Sequence, residues 1–138
     1  MRSALHSLTL VVGGGIIVLA GLVASLTWAN ERRAAIEREA QGSTGGRIEH
    51  AVTLMLANGC AGCHTITGVP GASGKVGPAL DSSLSGKVYI GGNLPNTPAN
   101  MIDWLRFARQ IQPRTAMPST GISEQDARDI AAYLYALR

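Results

Sequence analysis

Apolar and polar positions alternate in three different ways along the chain, and each pattern predicts a different element. From Leu8 to Trp28 there are 21 residues without a formal charge. As a helix rising about 1.5 Å per residue they would span about 32 Å, close to the ~30 Å hydrocarbon core of a bilayer. Residues Asn30 to Ala40 then interleave acids and bases around Ala34, Ala35 and Ile36, which predicts a helical stalk about 16 Å long. Gln41-Gly42-Ser43-Thr44-Gly45-Gly46 should break it and act as a flexible tether of about 13 Å.

Beyond Arg47 the period is helical in three places. Ile48, Val52, Met55 and Leu56 mark a first helix that Asn58-Gly59 ends. Thr97 as N-cap and Pro98 at the first helical position open a second, with Met101, Ile102, Leu105 and Ala108 on its apolar face and Pro113 beyond its end. Ser123 caps a third, Asp126 follows three residues on, and Ala127, Ile130, Ala131, Leu134 and Leu137 line one side. Between the first two helices, Gly68 to Asn96 hold seven glycines and three prolines with little periodicity. That is too long for an ordinary connection unless something organises it from within. Three segments follow: an anchor at 1–29, a helical stalk and Gly/Ser linker at 30–46, and a folded domain at 47–138.

The apolar N-terminal run has two readings. A cleaved signal peptide usually carries only about 7 to 15 apolar residues before a small-residue site, for which Thr27-Trp28-Ala29 is a loose match. The length, and Trp28 followed by charges, favour a retained single-pass anchor. Gly13, Gly14 and Gly15, with the pairs Ala20/Ala24 and Gly21/Ser25, would let another helix approach closely, although glycine is also simply common in membrane helices. Arg2 on one side against Arg32, Arg33 and Arg38 on the other would place the folded domain in the cytoplasm by charge count alone.

Composition narrows the function. Only 92 of the 138 residues remain once the apolar run, stalk and linker at 1–46 are set aside, enough for one small domain and too few for a large α/β enzyme fold. Charged residues are 15% of the chain and hydrophobic residues 46%, which agrees with membrane contact. The formal charge of +3 comes from bases scattered among acids, so no basic stripe for nucleic acid exists. With only six aromatic residues, so small a domain calls for a staple, a metal or a large apolar cofactor.

Cys60-Ala61-Gly62-Cys63-His64 has the spacing that attaches a c-type haem: two thiols add to the vinyl groups and the adjacent histidine serves as an axial ligand. Other readings of the cysteines ask for more. Zinc would need two further ligands, and only His6 and His50 remain; a thioredoxin-like pair would need a βαβ context; a local disulfide would leave His64 without a role. For the sixth ligand, Met55 and Met101 fall on apolar helix faces, where packing explains them. Met117, in the proline-stiffened loop Gln112 to Pro118, has no such explanation and is the favoured sulfur donor.

With these residues in place the sequence resembles the class I cytochrome c family over nearly all of Arg47 to Arg138. The resemblance is carried by the helix leading into Cys60-x-x-Cys63-His64, by Gly77-Pro78-Ala79-Leu80, by Met117-Pro118 and by the closing Ala132-Tyr133-Leu134. Leu94 to Asn100 followed by Trp104-Leu105 looks like the cytochrome c domains fused to subunit II of some bacterial haem-copper oxidases. The resemblance implies an all-α class I cytochrome c fold on a single N-terminal transmembrane helix, with first and last helices crossing. It also implies one haem c held through Cys60 and Cys63, and a Pro78 carbonyl accepting the His64 ring N–H. Arg114 stands where many relatives have glycine. Trp104, Tyr89 and Asn96 are candidates for the haem edge or its propionates, and equally for core or turn roles.

A closed iron with two protein ligands exchanges electrons and offers substrate no place. The expected function is therefore single-electron transfer between respiratory partners, as subunit of or donor to a terminal oxidase or a quinol-oxidising complex, with no catalytic residue and no small-molecule substrate. A haem peroxidase or gas-binding protein with a labile methionine is the alternative, and the distal histidine and arginine pair that peroxide cleavage would want is missing from the sequence. Family members are assembled outside the cytoplasm, so the resemblance places the domain on the periplasmic or outer face of the cytoplasmic membrane, against the arginine count.

Overall fold

The computed structural model describes residues 13–138 in full and the backbone of the preceding helical residues from Arg2. Helix α1 runs Arg2–Thr44, α2 Ile48–Ala57, α3 Cys60–Cys63, α4 Pro98–Ile111 and α5 Glu124–Ala136. A two-residue antiparallel pair, β1 (Tyr89–Ile90) with β2 (Leu94–Pro95), interrupts the long loop before α4. The chain divides into two compact units, residues 1–35 and 36–138.

In the first unit the apolar side chains have no protein to cover them: Ile16, Ile17, Leu19, Leu22 and Leu26 are all more than half exposed. From Gly13 the helix is long and apolar enough to cross a membrane, with a mean hydropathy of 1.5 in its most apolar window. Residues 8–12 of the predicted span lie outside the fully described residues. Ser25 and Thr27 return their hydroxyls to the carbonyls of Leu22 and Ala24 at 2.8 and 2.9 Å, so neither needs water. The Arg32 guanidinium lies 5.3 Å over the Trp28 ring.

The second unit begins inside α1 and corrects one expectation. Gln41 to Thr44 stay helical, and Ala40 and Thr44 are buried. Thr44 donates to Ala40 O at 2.8 Å, Gly45 ends the helix at φ 70°, and its N–H donates to Gln41 O at 2.8 Å. Gly46 lies so close to the Arg128 carbonyl of α5 that a Cβ would overlap it. Arg128 Nη1 donates to Thr44 O at 2.8 Å, and Arg138 grips the Glu39 carboxylate with both Nη atoms at 2.9 and 3.2 Å. The small residues that suggested a tether are therefore a helix terminus and a packing surface.

Helices α2 and α5 form the central packing, with α4 against α5. Alanines at the contacts, Ala51, Ala108, Ala127 and Ala131, are fully buried and let the backbones approach, while Met55, Ile130 and Leu134 fill the space beside them. The expected caps are present: Thr97 accepts from Asn100 N and Ser123 from Asp126 N.

Asp129 of α5 is the buried charge of this core. Its Oδ1 accepts from Arg47 N at 2.9 Å and Gln125 Nε2 at 2.7 Å, and its Oδ2 lies 3.2 Å from His50 Nδ1. Burial alone would push its pKa up; the hydrogen bonds from Arg47, Gln125 and His50 outweigh it and hold the carboxyl below the usual value. A carboxylate lowered in the folded state stabilises above its unfolded pKa of about 3.9 and ceases to do so as pH falls through the folded value. Asp129→Asn should therefore cost about 1–3 kcal/mol near neutrality and flatten the decline in stability below about pH 4. Denaturant unfolding followed by circular dichroism across that pH range measures both.

Candidate functional site

The wall of the site is built by one helical turn. Gly59 separates α2 from α3, and α3 itself spans only Cys60 to Cys63. Both sulfurs, as free thiols, thereby lie three residues apart on one turn, and both side chains border the same cavity. Cys60 is half-buried, and burial pushes its thiol pKa up, against a backbone hydrogen bond that pulls it down. His64 leaves the helix in an extended conformation while its N–H still donates to Cys60 O at 2.9 Å, so its ring follows directly on the cysteine turn.

The ring is fixed by the loop opposite. His64 Nδ1 donates to Pro78 O at 2.7 Å, a carbonyl that can only accept; Nδ1 therefore carries a proton, and Nε2 is the ring nitrogen left to serve as a ligand. Gly77 allows this approach, since a Cβ there would run into the imidazole. The same loop is laced to the cysteine turn by Gly77 N to Cys63 O at 2.8 Å and Gly74 N to Ala61 O at 3.2 Å. Leu80 N to Thr65 O at 2.8 Å and Tyr133 Oη to Thr67 O at 2.7 Å complete the lacing. The long irregular segment is thus organised around the site, as its length required.

These elements enclose a cavity of about 450 Å³, lined by Cys60, Cys63 and His64 on one side and by Met117 on the 112–118 loop. Met117 is half-buried, and its N–H donates to Thr115 Oγ1 at 3.2 Å. Met55 is buried in α2 away from the cavity, whereas Met101 is buried in α4 and also borders it. Leu84, Ile90, Leu105 and Leu134 supply an apolar lining, and Lys87 is the one formally charged side chain among the described lining residues.

Trp104 and Tyr89 line the cavity; Asn96 does not. Asn96 Nδ2 donates to Leu84 O at 3.0 Å and Lys87 O at 2.9 Å, its N–H to Val88 O at 2.9 Å, and its Oδ1 accepts from Tyr135 Oη at 2.7 Å. Burial pushes the Tyr135 phenol up to about 12, so it remains a donor at any ordinary pH. Asn96 is the brace that shapes the Leu84–Tyr89 wall, a role that no periodicity announced; its position just before the Thr97 cap was the only hint. His50 is engaged with Asp129, and among the described residues no three His, Cys, Asp or Glu side chains come together as a metal site.

The donor set fits a c-type haem: two thiols on one turn with an imidazole directly after it, a thioether on a facing loop, an apolar lining and one cation at its border. No curated protein and no solved structure matches the chain. The family model for cytochrome c matches residues 48–138, which is every residue of the cavity and its supporting helices, and on that ground the chain belongs to the cytochrome c family, whose members carry covalently attached haem c.

Proposed function

We propose that this haem electron-transfer protein is a membrane-anchored mono-haem carrier in which Cys60 and Cys63 hold the haem, His64 and Met117 are the axial ligands and the Pro78 carbonyl orients the imidazole. The observation that supports this most is the shared cavity, with one turn carrying both thiols and the imidazole while Met117 enters from the 112–118 loop. The bound haem supplies a single-electron couple. The protein residues set its level: the Met117 thioether favours the reduced iron, and the Pro78 carbonyl holds the Nδ1 proton of His64, which leaves Nε2 as the ligating nitrogen and fixes the ring's orientation. The buried side chains of Leu84, Ile90, Leu105 and Leu134 would keep water from a bound ring, and the Lys87 ammonium at the cavity border would be available to a carboxylate of the group.

In this proposal the anchor is the apolar helix ending near Ala29, the haem domain is on the periplasmic or outer face, and the partners are membrane respiratory complexes, either a terminal oxidase or a quinol-oxidising enzyme. A domain tethered in the plane of its partners needs little affinity for them, because confinement raises their effective concentration. The exposed apolar side chains from Gly13 onward and the Trp28–Arg32 pair at the polar boundary support the anchor.

The full-length protein should keep haem stain after denaturing electrophoresis, and Cys60→Ala with Cys63→Ala should abolish it; Met117→Leu should retain the stain but lose the sulfur-to-iron absorbance band near the red edge. Gly77→Ala, which drives a methyl group into the His64 ring, should sharply reduce haem incorporation, and high-spin haem that binds carbon monoxide readily in the wild type would contradict the carrier reading. Alkaline carbonate extraction should leave the protein in the membrane pellet, and protease added to intact spheroplasts should remove the haem domain.

A further inference from the structure

Helix α4 is interrupted at Phe107, whose backbone at φ −130° and ψ 32° leaves the helical region. Breaks of this kind have a physical cause, and a group inserted into the helical ladder is one of them. Here one short segment supplies it. Thr120 Oγ1 donates to Leu105 O at 2.7 Å, Gly121 N donates to Arg106 O at 3.4 Å, Arg109 N donates to Ser119 Oγ at 3.2 Å, and Arg106 Nε donates to Ile122 O at 3.2 Å. All four bonds join the turn around Phe107 to residues 119–122, and that segment begins two residues after Met117.

The other side of Met117 is pinned as well. Thr115 N donates to Gln112 O at 3.0 Å and Met117 N donates to Thr115 Oγ1 at 3.2 Å. Met117 therefore sits on a short span between two fixed points, and Thr120 itself borders the cavity.

We propose that the stitched break in α4 is a positioning device for Met117: Ser119, Thr120 and Gly121 hold the loop so that the thioether occupies the sixth position of the iron and outside ligands are refused. This rests on the reading of Met117 as axial ligand given above. A thioether is a weak ligand, and its advantage over a competitor in solution is its effective concentration, which depends on how few conformations its loop can reach. Each stitch removed enlarges that set. Ser119 and Thr120 are positioning residues; neither touches the iron in this scheme.

The test is imidazole binding to the ferric holoprotein, full length and in detergent, followed by absorbance. Thr120→Val keeps the shape of the side chain and deletes the bond to Leu105 O; it should tighten imidazole binding about fivefold, Ser119→Ala should act in the same direction, and Thr120→Ser should restore the wild-type affinity. Ser123→Ala, which removes the α5 cap, should lower the melting temperature and leave imidazole affinity unchanged. Wild-type affinity in both Thr120→Val and Ser119→Ala would overturn the proposal, as would equal tightening in Ser123→Ala, which would mean general loosening. A wild-type protein without the sulfur-to-iron band, or with the imidazole affinity of Met117→Leu, overturns the ligand assignment itself and the proposal with it.

Discussion

The hydrogen bond from His64 Nδ1 to Pro78 O is the constraint on which the rest of the site depends. It joins the cysteine turn to the glycine-rich loop, selects one tautomer of the imidazole, and fixes the position of the segment that must come close enough for Gly77 to lie against the ring. The backbone bonds from Gly74 and Gly77 to the turn close the same contact from below. Without it the loop would be held to α3 by those backbone bonds alone, and the imidazole would lose its fixed orientation on the cavity wall. Helices α2, α4 and α5 then act as a frame: their alanine contacts bring the elements together and leave the space between α3 and the 112–118 loop open.

Much of this is legible in the amino-acid sequence, because the signals are local. Thr97-Pro98 and Ser123-x-x-Asp126 state helix starts through the chemistry of orphan amide groups, and the structure begins α4 and α5 at those caps. The spacing of Cys60, Cys63 and His64 needs only a single turn to bring the three together. The carbonyl of Pro78 came from resemblance and not from periodicity, since nothing in a Gly-Pro pair says which ring nitrogen will face it. What could not be read depends on long-range partners. Asn96 looked like a turn residue and is a brace, because its amide meets carbonyls from two positions in a loop folded back on it, and a phenol from α5. The break in α4 is likewise invisible locally, since Leu105 and Arg109 have ordinary helical neighbours and the disturbing groups come from residues 119–122.

The clearest departure is at residues 41–46. Glycine and serine in a row predict slack when each is considered in solution. In the folded unit the hydroxyls turn back on Ala40 O, Gly45 takes the left-handed position that ends a helix, and Gly46 is small because Arg128 of α5 is against it. The same residue types serve flexibility or close contact according to what lies beside them. The acid–base pair of Glu39 with Arg138 and the amide of Arg47 on Asp129 extend this attachment along α5 to the last residue.

The partial burial of Cys60 bears on the life of the chain before any cofactor arrives. Sulfur attacks sulfur as the thiolate, and a thiol held above its ordinary pKa by burial offers little of that form. Folded in this way, the Cys60 sulfur would be a sluggish nucleophile toward any electrophile that needs the thiolate, whichever that is, so the order in which the chain folds and the sulfur reacts carries a chemical consequence.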